Sequence, residues 1–347
     1  MAWLLHVERS AAAVLYVSNS SAGGSGSLND PMSLHECFAI LPSQGAGSAC
    51  MMLAGEYKLN ATAELRGLHG TLDAPYHIGA EVGHTVTLDG TRDVPGPWTW
   101  TAASHTYTDG STADVSHWVA DWPAGWAEPW QLFVDGEMQV VARWPNVRWD
   151  DRSFFDDTQW AHGNEHGSYG GPPAGAAGVE CRLFDDGRSY TSSRSLAASG
   201  INASGMAIVL QIGNWYTHSG IVHRHTPGST EIAYLAGDGW KIGHYSADTD
   251  MYYLEGALSL LDAETEWAYD QLTRKLHLLP RGGGSTDPNG IRVQARVQEY
   301  AIAMTDSSHV RVHGLRFFAT TIYAAGENFG TRDLRNVRLD SLELVHP

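Results

Sequence analysis

Short segments in which apolar and polar residues alternate recur along the chain, separated by stretches rich in glycine, proline, asparagine and serine. Near the N-terminus these segments are residues 11–18, 50–59, 74–81 and 84–91. Alternation with a period of two predicts β-strands that bury one face. The intervals between the segments are typical of a solenoid, in which each coil adds short parallel strands.

Residues 31–41 interrupt this pattern. They place apolar residues at helical spacing, and Pro31 stands near the start. Pro is favoured in the first turn of a helix, so the segment predicts a short helix. The apolar positions are Leu34, Cys37, Phe38 and Leu41.

The middle of the chain has a different sequence pattern. Twelve of the 13 tryptophans lie there, among longer loops and paired strand patterns. Asp135-Gly136 is a typical two-residue hairpin turn, and residues 267–280 predict a second hairpin that turns near Thr273. We therefore expect an inserted antiparallel β-rich domain.

After this insertion two segments repeat with an offset of 27 residues, 308–318 and 335–345. The offset aligns apolar residues for the inside of a solenoid and polar residues for its outside. The apolar pairs are Val310 with Val337, Val312 with Leu339, Leu315 with Leu342, and Phe317 with Leu344. The polar pairs are Arg311 with Arg338, His313 with Asp340, and Arg316 with Glu343.

These patterns predict an all-β fold: a right-handed parallel β-helix (solenoid) with an inserted antiparallel β-rich domain. We expect an N-terminal cap and first coils at 1–95, the insertion at 96–292, and resumed coils at 293–347. A solenoid that stops in mid-coil leaves an open strand edge, which natural proteins cap. Either a cap from elsewhere covers this edge or the chain is part of a longer protein, and we expect the second.

Composition narrows the possible partners. The net charge is −17 and no stripe rich in Lys and Arg is present, which disfavours nucleic acid and anionic membrane surfaces. A local arginine cluster would still be able to hold an acidic glycan. No apolar run is long enough to span a bilayer.

The cysteines and asparagines bear on the compartment. Cys37 and Cys50 flank a loop and are candidates for a disulfide, and no C-x-x-C pair is present. Three sites fit the N-glycosylation pattern: Asn19, Asn60 and Asn202. The N-terminus is not a convincing signal peptide.

The opening segments, 16–41 and 53–91, resemble the first coils of pectate-lyase-like right-handed β-helix proteins. Segments 132–146 and 252–280 resemble a subgroup of glycoside hydrolases in which a β-sandwich interrupts the β-helix. The resemblance implies a secreted or cell-surface protein that acts on or binds a polysaccharide or oligosaccharide. In that subgroup the catalytic carboxylates follow the point where the β-helix resumes, and no pair in this chain matches them.

Glycoside hydrolysis needs two carboxyl groups across one cleft. Glu327, in a bend, and Asp340, on an outward strand position, are the candidates, and solvated turn acids are the alternative interpretation. A polysaccharide lyase instead needs a base and a group that neutralises a carboxylate, such as arginine or Ca²⁺. Arg311, His313 and Arg338 are candidates for binding such a substrate, or they are outward charges that keep the solenoid soluble.

Other motifs are less specific. His162, Glu165 and His166 have the spacing of an inverted zinc-peptidase motif, but surrounding glycines indicate a loop, so we expect no metal site. Indole rings stack well on pyranose rings, and Trp122 and Trp126 are the candidates for exposure, against burial in a β-sandwich core.

Three functions follow. The first is glycoside hydrolysis of an extracellular polysaccharide, with catalytic coils beyond this chain. The second is a polysaccharide lyase, for which Ca²⁺ is the candidate cofactor; the first requires none. The third is a non-catalytic glycan-binding or surface protein.

Overall fold

The computed structural model describes residues 12–20, 22–106, 112–163, 179–185, 195–211, 217–236, 250–324 and 334–347. The chain is nearly all β and forms two compact units. Unit 1 comprises residues 1–93 and 294–347, and unit 2 comprises residues 94–293.

The strands are numbered in chain order. The first seven are β1 (Val14–Val17), β2 (Ala49–Met52), β3 (Gly55–Lys58), β4 (Ala63–Arg66), β5 (Tyr76–Ala80), β6 (Val86–Asp89) and β7 (Thr91–Asp93). Unit 2 adds β8 (Thr99–Thr101), β9 (Ser104–Thr106), β10 (Thr112–Asp114), β11 (His117–Asp121), β12 (Leu132–Val134), β13 (Glu137–Val141), β14 (Arg143–Trp144), β15 (Ala161–Gly163), β16 (Val179–Phe184), β17 (Ala207–Gln211), β18 (Thr217–His225), β19 (Glu231–Ala236), β20 (Asp250–Glu255), β21 (Glu266–Asp270) and β22 (Lys275–Leu279).

The last part of the chain contains β23 (Val293–Arg296), β24 (Tyr300–Thr305), β25 (Ser307–Ser308), β26 (Val310–His313), β27 (Leu315–Phe318), β28 (Thr321–Ala324), β29 (Leu334–Arg335), β30 (Arg338–Asp340) and β31 (Glu343–Val345). The described α-helices are α1 (Leu34–Ile40) and α2 (Leu196–Ser199). Short 3₁₀ turns lie at Leu41–Gln44, Ser153–Phe155, Asp157–Gln159, Leu258–Leu260, Gly283–Ser285 and Pro288–Gly290. None of the described helices is long and apolar enough to cross a membrane.

Unit 1 is built from stacks of parallel strands. One sheet has the order β1-β2-β5-β26-β30, a second β3-β6-β27-β31 and a third β28-β24-β4, all with parallel pairing. The pairs Val312 with Leu339 and Phe317 with Leu344 confirm the predicted 27-residue register. Inward residues from the three sheets share one hydrophobic core. The right-handed winding of a solenoid stays a prediction.

Helix α1 occupies the segment for which the sequence predicted a helix. Ser33 caps it: the Ser33 hydroxyl accepts from the Glu36 backbone N–H, and the Glu36 carboxylate accepts from the Ser33 backbone N–H. Such a capping box satisfies two N–H groups that have no partner within the helix. Leu34, Cys37 and Phe38 face the core, and a disulfide joins Cys37 to Cys50 on β2, which confirms that expectation.

Unit 2 contains mostly antiparallel strands. One set is ordered β12-β13-β21-β22-β11-β8, with β13 and β21 parallel, and another β14-β20-β17-β18-β19-β16. Asp135 and Gly136 both have positive φ in the β12–β13 turn, as a type I′ hairpin requires. The β21–β22 hairpin turns at 271–274, which confirms the turn near Thr273. Unit 2 has its own hydrophobic core, centred on β17, β18 and β20.

Candidate functional site

Three adjacent parallel strands of unit 1 carry imidazole, guanidinium and carboxylate groups on their outer side. The β5–β26–β30 register places His77 beside Arg311 and Arg311 beside Arg338. The next outward row runs from Gly79 through His313 to Asp340. Side chains alternate between the faces of a strand, so the residues between these rows face the other side. We call the set His77, Arg311, His313, Arg338 and Asp340 the basic face.

The two histidines of the basic face lie close together. The rings of His77 and His313 meet edge to face, with 6.1 Å between their centroids. The His313 ring lies over Gly79: a Cβ atom at position 79 would stand 2.7 Å from two atoms of the imidazole and 2.4 Å from the His313 carbonyl oxygen. The absence of a side chain at Gly79 therefore allows the two strands and the imidazole to approach.

Burial lowers the pKa of His77, and the neighbouring Arg311 and His313 lower it further. The lowered pKa favours the neutral form of His77, which has an unprotonated ring nitrogen. Arg311 is exposed and forms no ion pair within the described part of the chain. A neutral imidazole thus stands beside a guanidinium group that is open to solvent.

Asp340 forms an ion pair within its own strand. The guanidinium of Arg338 donates to Asp340 Oδ2 at 3.0 Å, and both side chains are largely exposed. In the register Asp340 stands next to His313, so its immediate neighbours are an imidazole and a guanidinium group. The second hydrolase candidate, Glu327, lies outside the described residues. The third predicted polar pair is present on the neighbouring sheet, where Arg316 Nε is 3.3 Å from Glu343.

A cluster of carboxyl groups that the sequence did not reveal lies on the outer side of β3 and β6. Lys58 Nζ is 3.4 Å from Asp89, 3.8 Å from Glu56 and 3.5 Å from Asp93. Burial raises the pKa of Asp89, hydrogen bonds from Thr91 lower it, and the Glu56 carboxyl, hydrogen-bonded to it, raises it. A glycosidase needs about 5 Å or more between its carboxyl groups. The hydrogen bond between Asp89 and Glu56 is shorter than this separation, so these two carboxyl groups do not have the spacing of a glycosidase pair.

The metal motif has a different setting from the one that zinc peptidases need. His162 lies on β15, a strand, and its Nε2 is 2.8 Å from the Asp157 carbonyl oxygen. Glu165 and His166 are outside the described residues. Throughout the described ranges no three His, Cys, Asp or Glu side chains are grouped to hold a metal ion.

The two tryptophan candidates lie together in unit 2. Trp122 is only 3% exposed and its Nε1 donates to the Ala127 carbonyl oxygen, so the expected exposure is wrong for this residue. Trp126 is half-buried and meets Trp122 edge to face at 5.3 Å. The flanking Pro123 and Gly125 do not force Trp122 outward because packing against Trp126 and Tyr269 covers its ring.

His77 is the residue of the basic face that sequence reasoning missed. The signal lies in aligning 75–80 with 309–314, which places Tyr76 with Val310 and Ile78 with Val312. The 27-residue repeat did not reveal it because the whole of unit 2 separates β5 from β26.

The fold is similar to that of a solved structure described as a glycoside hydrolase. A solved glycoside hydrolase matches with a TM-score of 0.57 and 20% sequence identity over 89% of this chain and 51% of that one. This chain thus spans about half the length of that protein, and at this identity the likeness concerns the fold alone. A complex of XylC with xylose (10% identity, 89% of this chain and 36% of that one) and the Gp54 tailspike of Acinetobacter baumannii bacteriophage AP22 with a capsular saccharide (8% identity, 85% and 41%) match with TM-scores of 0.32 and 0.17. Those two values are too low to support an argument.

No protein-family model matches the sequence, and no curated protein matches it either.

Proposed function

We propose that this chain belongs to a carbohydrate-processing protein, that unit 1 winds as a right-handed parallel β-helix, and that the basic face binds an acidic saccharide. The parallel stacks and their 27-residue register support the winding. The observation that carries the binding proposal is the row His77, Arg311 and Arg338 on neighbouring strands.

The geometry of this row suits an extended polyanion. Neighbouring strands lie about 4.8 Å apart, so a saccharide that crosses them meets an imidazole or guanidinium group on each strand. Arg311, which has no ion-pair partner within the described ranges, can donate charge-assisted hydrogen bonds to a carboxylate, and its planar guanidinium group does so in a bidentate manner. The net charge of −17 opposes such a ligand at long range. Physiological salt screens exposed charges beyond about 8 Å, so the local arginines dominate at contact.

Affinity gel electrophoresis tests the binding. We expect polygalacturonate or alginate in the gel to retard the chain, and the retardation to decrease as salt is raised. Any retardation by neutral xylan should be the same in wild type and in Arg311→Gln. Arg311→Gln should weaken retention by the acidic polymer roughly threefold to tenfold, the effect of losing about 1 kcal/mol. Arg316→Gln is the matched control, because this arginine lies in the same unit but on the neighbouring sheet, paired with Glu343.

Equal retention of wild type and Arg311→Gln by the acidic polymer, or no retention of wild type by any acidic polymer, would refute the proposed binding face.

The same face favours β-elimination as its chemistry over hydrolysis. In that reaction a base removes the C5 proton next to the uronate carboxylate, and the C–H electrons form a C4=C5 bond. The bond from C4 to its glycosidic oxygen breaks, and the leaving sugar keeps that oxygen with the electron pair, which takes a proton from water. His77 is a neutral base beside Arg311, which would neutralise the carboxylate. Hydrolysis would instead draw on Asp340 and Glu327.

Products separate the three functions. Unsaturated uronate ends, detected by their ultraviolet absorbance and lost in His77→Gln, support elimination; a chelator then tells whether Ca²⁺ takes part. Reducing ends without unsaturation, released from a neutral glycan, support hydrolysis. Retention in the gel without any product supports a binding role. The disulfide Cys37–Cys50 is consistent with the secreted or cell-surface setting that we propose, because such bonds persist in oxidising compartments.

A further inference from the structure

We propose that unit 2 carries a separate saccharide-binding site, formed by the exposed aromatic pair Trp149 and Phe155, which takes a neutral sugar ring. We call this pair the aromatic platform. It shares no residue with the basic face.

The platform is exposed to an unusual degree for aromatic side chains. Trp149 is 63% exposed and Phe155 is 66% exposed. Their rings meet edge to face, with centroids 4.6 Å apart. Each ring removed from water would contribute about 25 cal/mol per Å² of apolar surface, so leaving both in solvent is unfavourable unless a ligand covers them.

The platform is held rigidly from below. The indole of Trp149 stacks on Phe154 at 5.0 Å with only 12° between the planes. Phe154 meets the buried ring of Trp160 at 4.9 Å, and Trp160 meets buried Tyr253 at 5.2 Å. The Trp160 Nε1 group donates to the Phe154 carbonyl oxygen. An exposed ring fixed to a buried aromatic chain loses little conformational entropy when a ligand binds.

The surroundings favour a sugar over an apolar partner. Asp150, Asp151 and Arg152 follow Trp149 directly and are all exposed, so the segment that carries the two rings also carries carboxylate acceptors and guanidinium donors. A pyranose has apolar C–H faces that stack on an aromatic ring and a rim of hydroxyl groups that bond to such side chains. The mixed charges suit a neutral polyhydroxylated ligand. Two rings are also far too small for a stable protein interface, which buries about 800 Å² on each partner.

Affinity electrophoresis of the full chain in neutral polysaccharides tests this site, with xylan, hydroxyethylcellulose and glucomannan as probes. We expect at least one of them to retard the wild type, and the retardation to persist in high salt. Trp149→Ala and Phe155→Ala should each weaken it about tenfold, the effect of losing roughly 1.4 kcal/mol of ring contact. Trp130→Ala is the matched control, because Trp130 is also an exposed unit 2 tryptophan, at 51%.

The outcomes are distinct. Failure of all three neutral polymers to retard the wild type, or unchanged retention in Trp149→Ala, overturns the proposal. Self-association that disappears in Trp149→Ala, measured by light scattering, also overturns it in favour of a second copy as the occupant. Arg311→Gln should leave neutral-polymer retention unchanged, so the proposals for the aromatic platform and for the basic face are tested independently. Unchanged circular dichroism of each variant shows that the fold is kept.

Discussion

At the residue scale, Gly79 fixes how closely β5 and β26 approach on the basic face. Its backbone is of ordinary extended form, so the need for glycine comes from the space above it, not from its φ angle. The His313 carbonyl oxygen and imidazole fill the volume where a Cβ atom would lie.

We therefore expect Gly79→Ala to displace His313 and destabilise unit 1 by about 1–3 kcal/mol, the usual cost of overpacking. The reason is that a backbone atom, not only a flexible side-chain end, must move. Hydrogen exchange in β5 and β26 would measure the destabilisation, and gel retardation in an acidic polymer would measure the effect on binding.

Gly290→Ala is the control for this substitution, because nothing lies within 4 Å of its added Cβ and its φ is not positive. If Gly79→Ala and Gly290→Ala show the same hydrogen exchange in β5 and β26 and the same retardation in an acidic polymer, the contact with Gly79 does not position the His313 imidazole.

Glu266 is a second residue whose environment has a measurable consequence, here for the pH dependence of stability. Its side chain is fully buried in unit 2. Burial and then Asp262 raise the pKa of Glu266 to about 8, while Arg148 and the backbone N–H groups of Asp262 and Ala263 lower it. The folded state therefore holds the proton more tightly than the unfolded chain does.

Because its folded pKa lies above the unfolded value of about 4.5, Glu266 stabilises unit 2 fully below pH 4.5 and loses that contribution as pH rises to about 8. We expect the unfolding free energy of wild type minus that of Glu266→Gln to fall by roughly 3–5 kcal/mol over this range, since one pKa unit corresponds to about 1.4 kcal/mol. Urea denaturation followed by tryptophan fluorescence reports on unit 2, which holds all tryptophans except Trp3. A difference that stays constant from pH 4.5 to 8 would show that Glu266 is ionised in the fold.

At the scale of single elements, the sequence predicted the structure correctly where a segment's own residues determine it. Ser33 and Glu36 stand three residues apart before an apolar face, and helix α1 forms there. Asp135-Gly136 adopts the two positive φ angles that its hairpin requires. The offset between 308–318 and 335–345 gave the register of β26 with β30, because identical spacing of inward residues leaves one alignment that stacks all of them on the same side of the sheet.

Pairing between distant elements was beyond local patterns. β5 pairs with β26 although unit 2 lies between them in the chain, so the neighbour of His77 could not be found from adjacent repeats. Local sequence also did not predict which aromatic residues are exposed. Proline and glycine next to Trp122 indicated a surface loop, yet tertiary packing buries that ring, while Trp149, beside charged residues, is 63% exposed.

At the scale of the whole molecule, the two units have separate hydrophobic cores. The unit 1 core includes Cys37 and Cys50, and the main unit 2 core includes Cys181, which is buried. Composition predicted the all-β class and the absence of a basic stripe, but net charge describes only the average surface. The basic face arises because the fold gathers arginine and histidine side chains from three strands, and this grouping depends on the register rather than on composition.

Separate cores imply that stability can be lost in one unit alone. We expect the double substitution Cys37→Ala with Cys50→Ala to destabilise unit 1 by roughly 2–4 kcal/mol, because a disulfide limits the freedom of the unfolded chain. Hydrogen exchange should then accelerate in β1, β2 and β5 and stay unchanged in β17, β18 and β20. Cys181→Ala is the matched control and should give the reverse pattern, since Cys181 packs in the unit 2 core. Faster exchange in both units from either variant would mean that the two units unfold as one cooperative block.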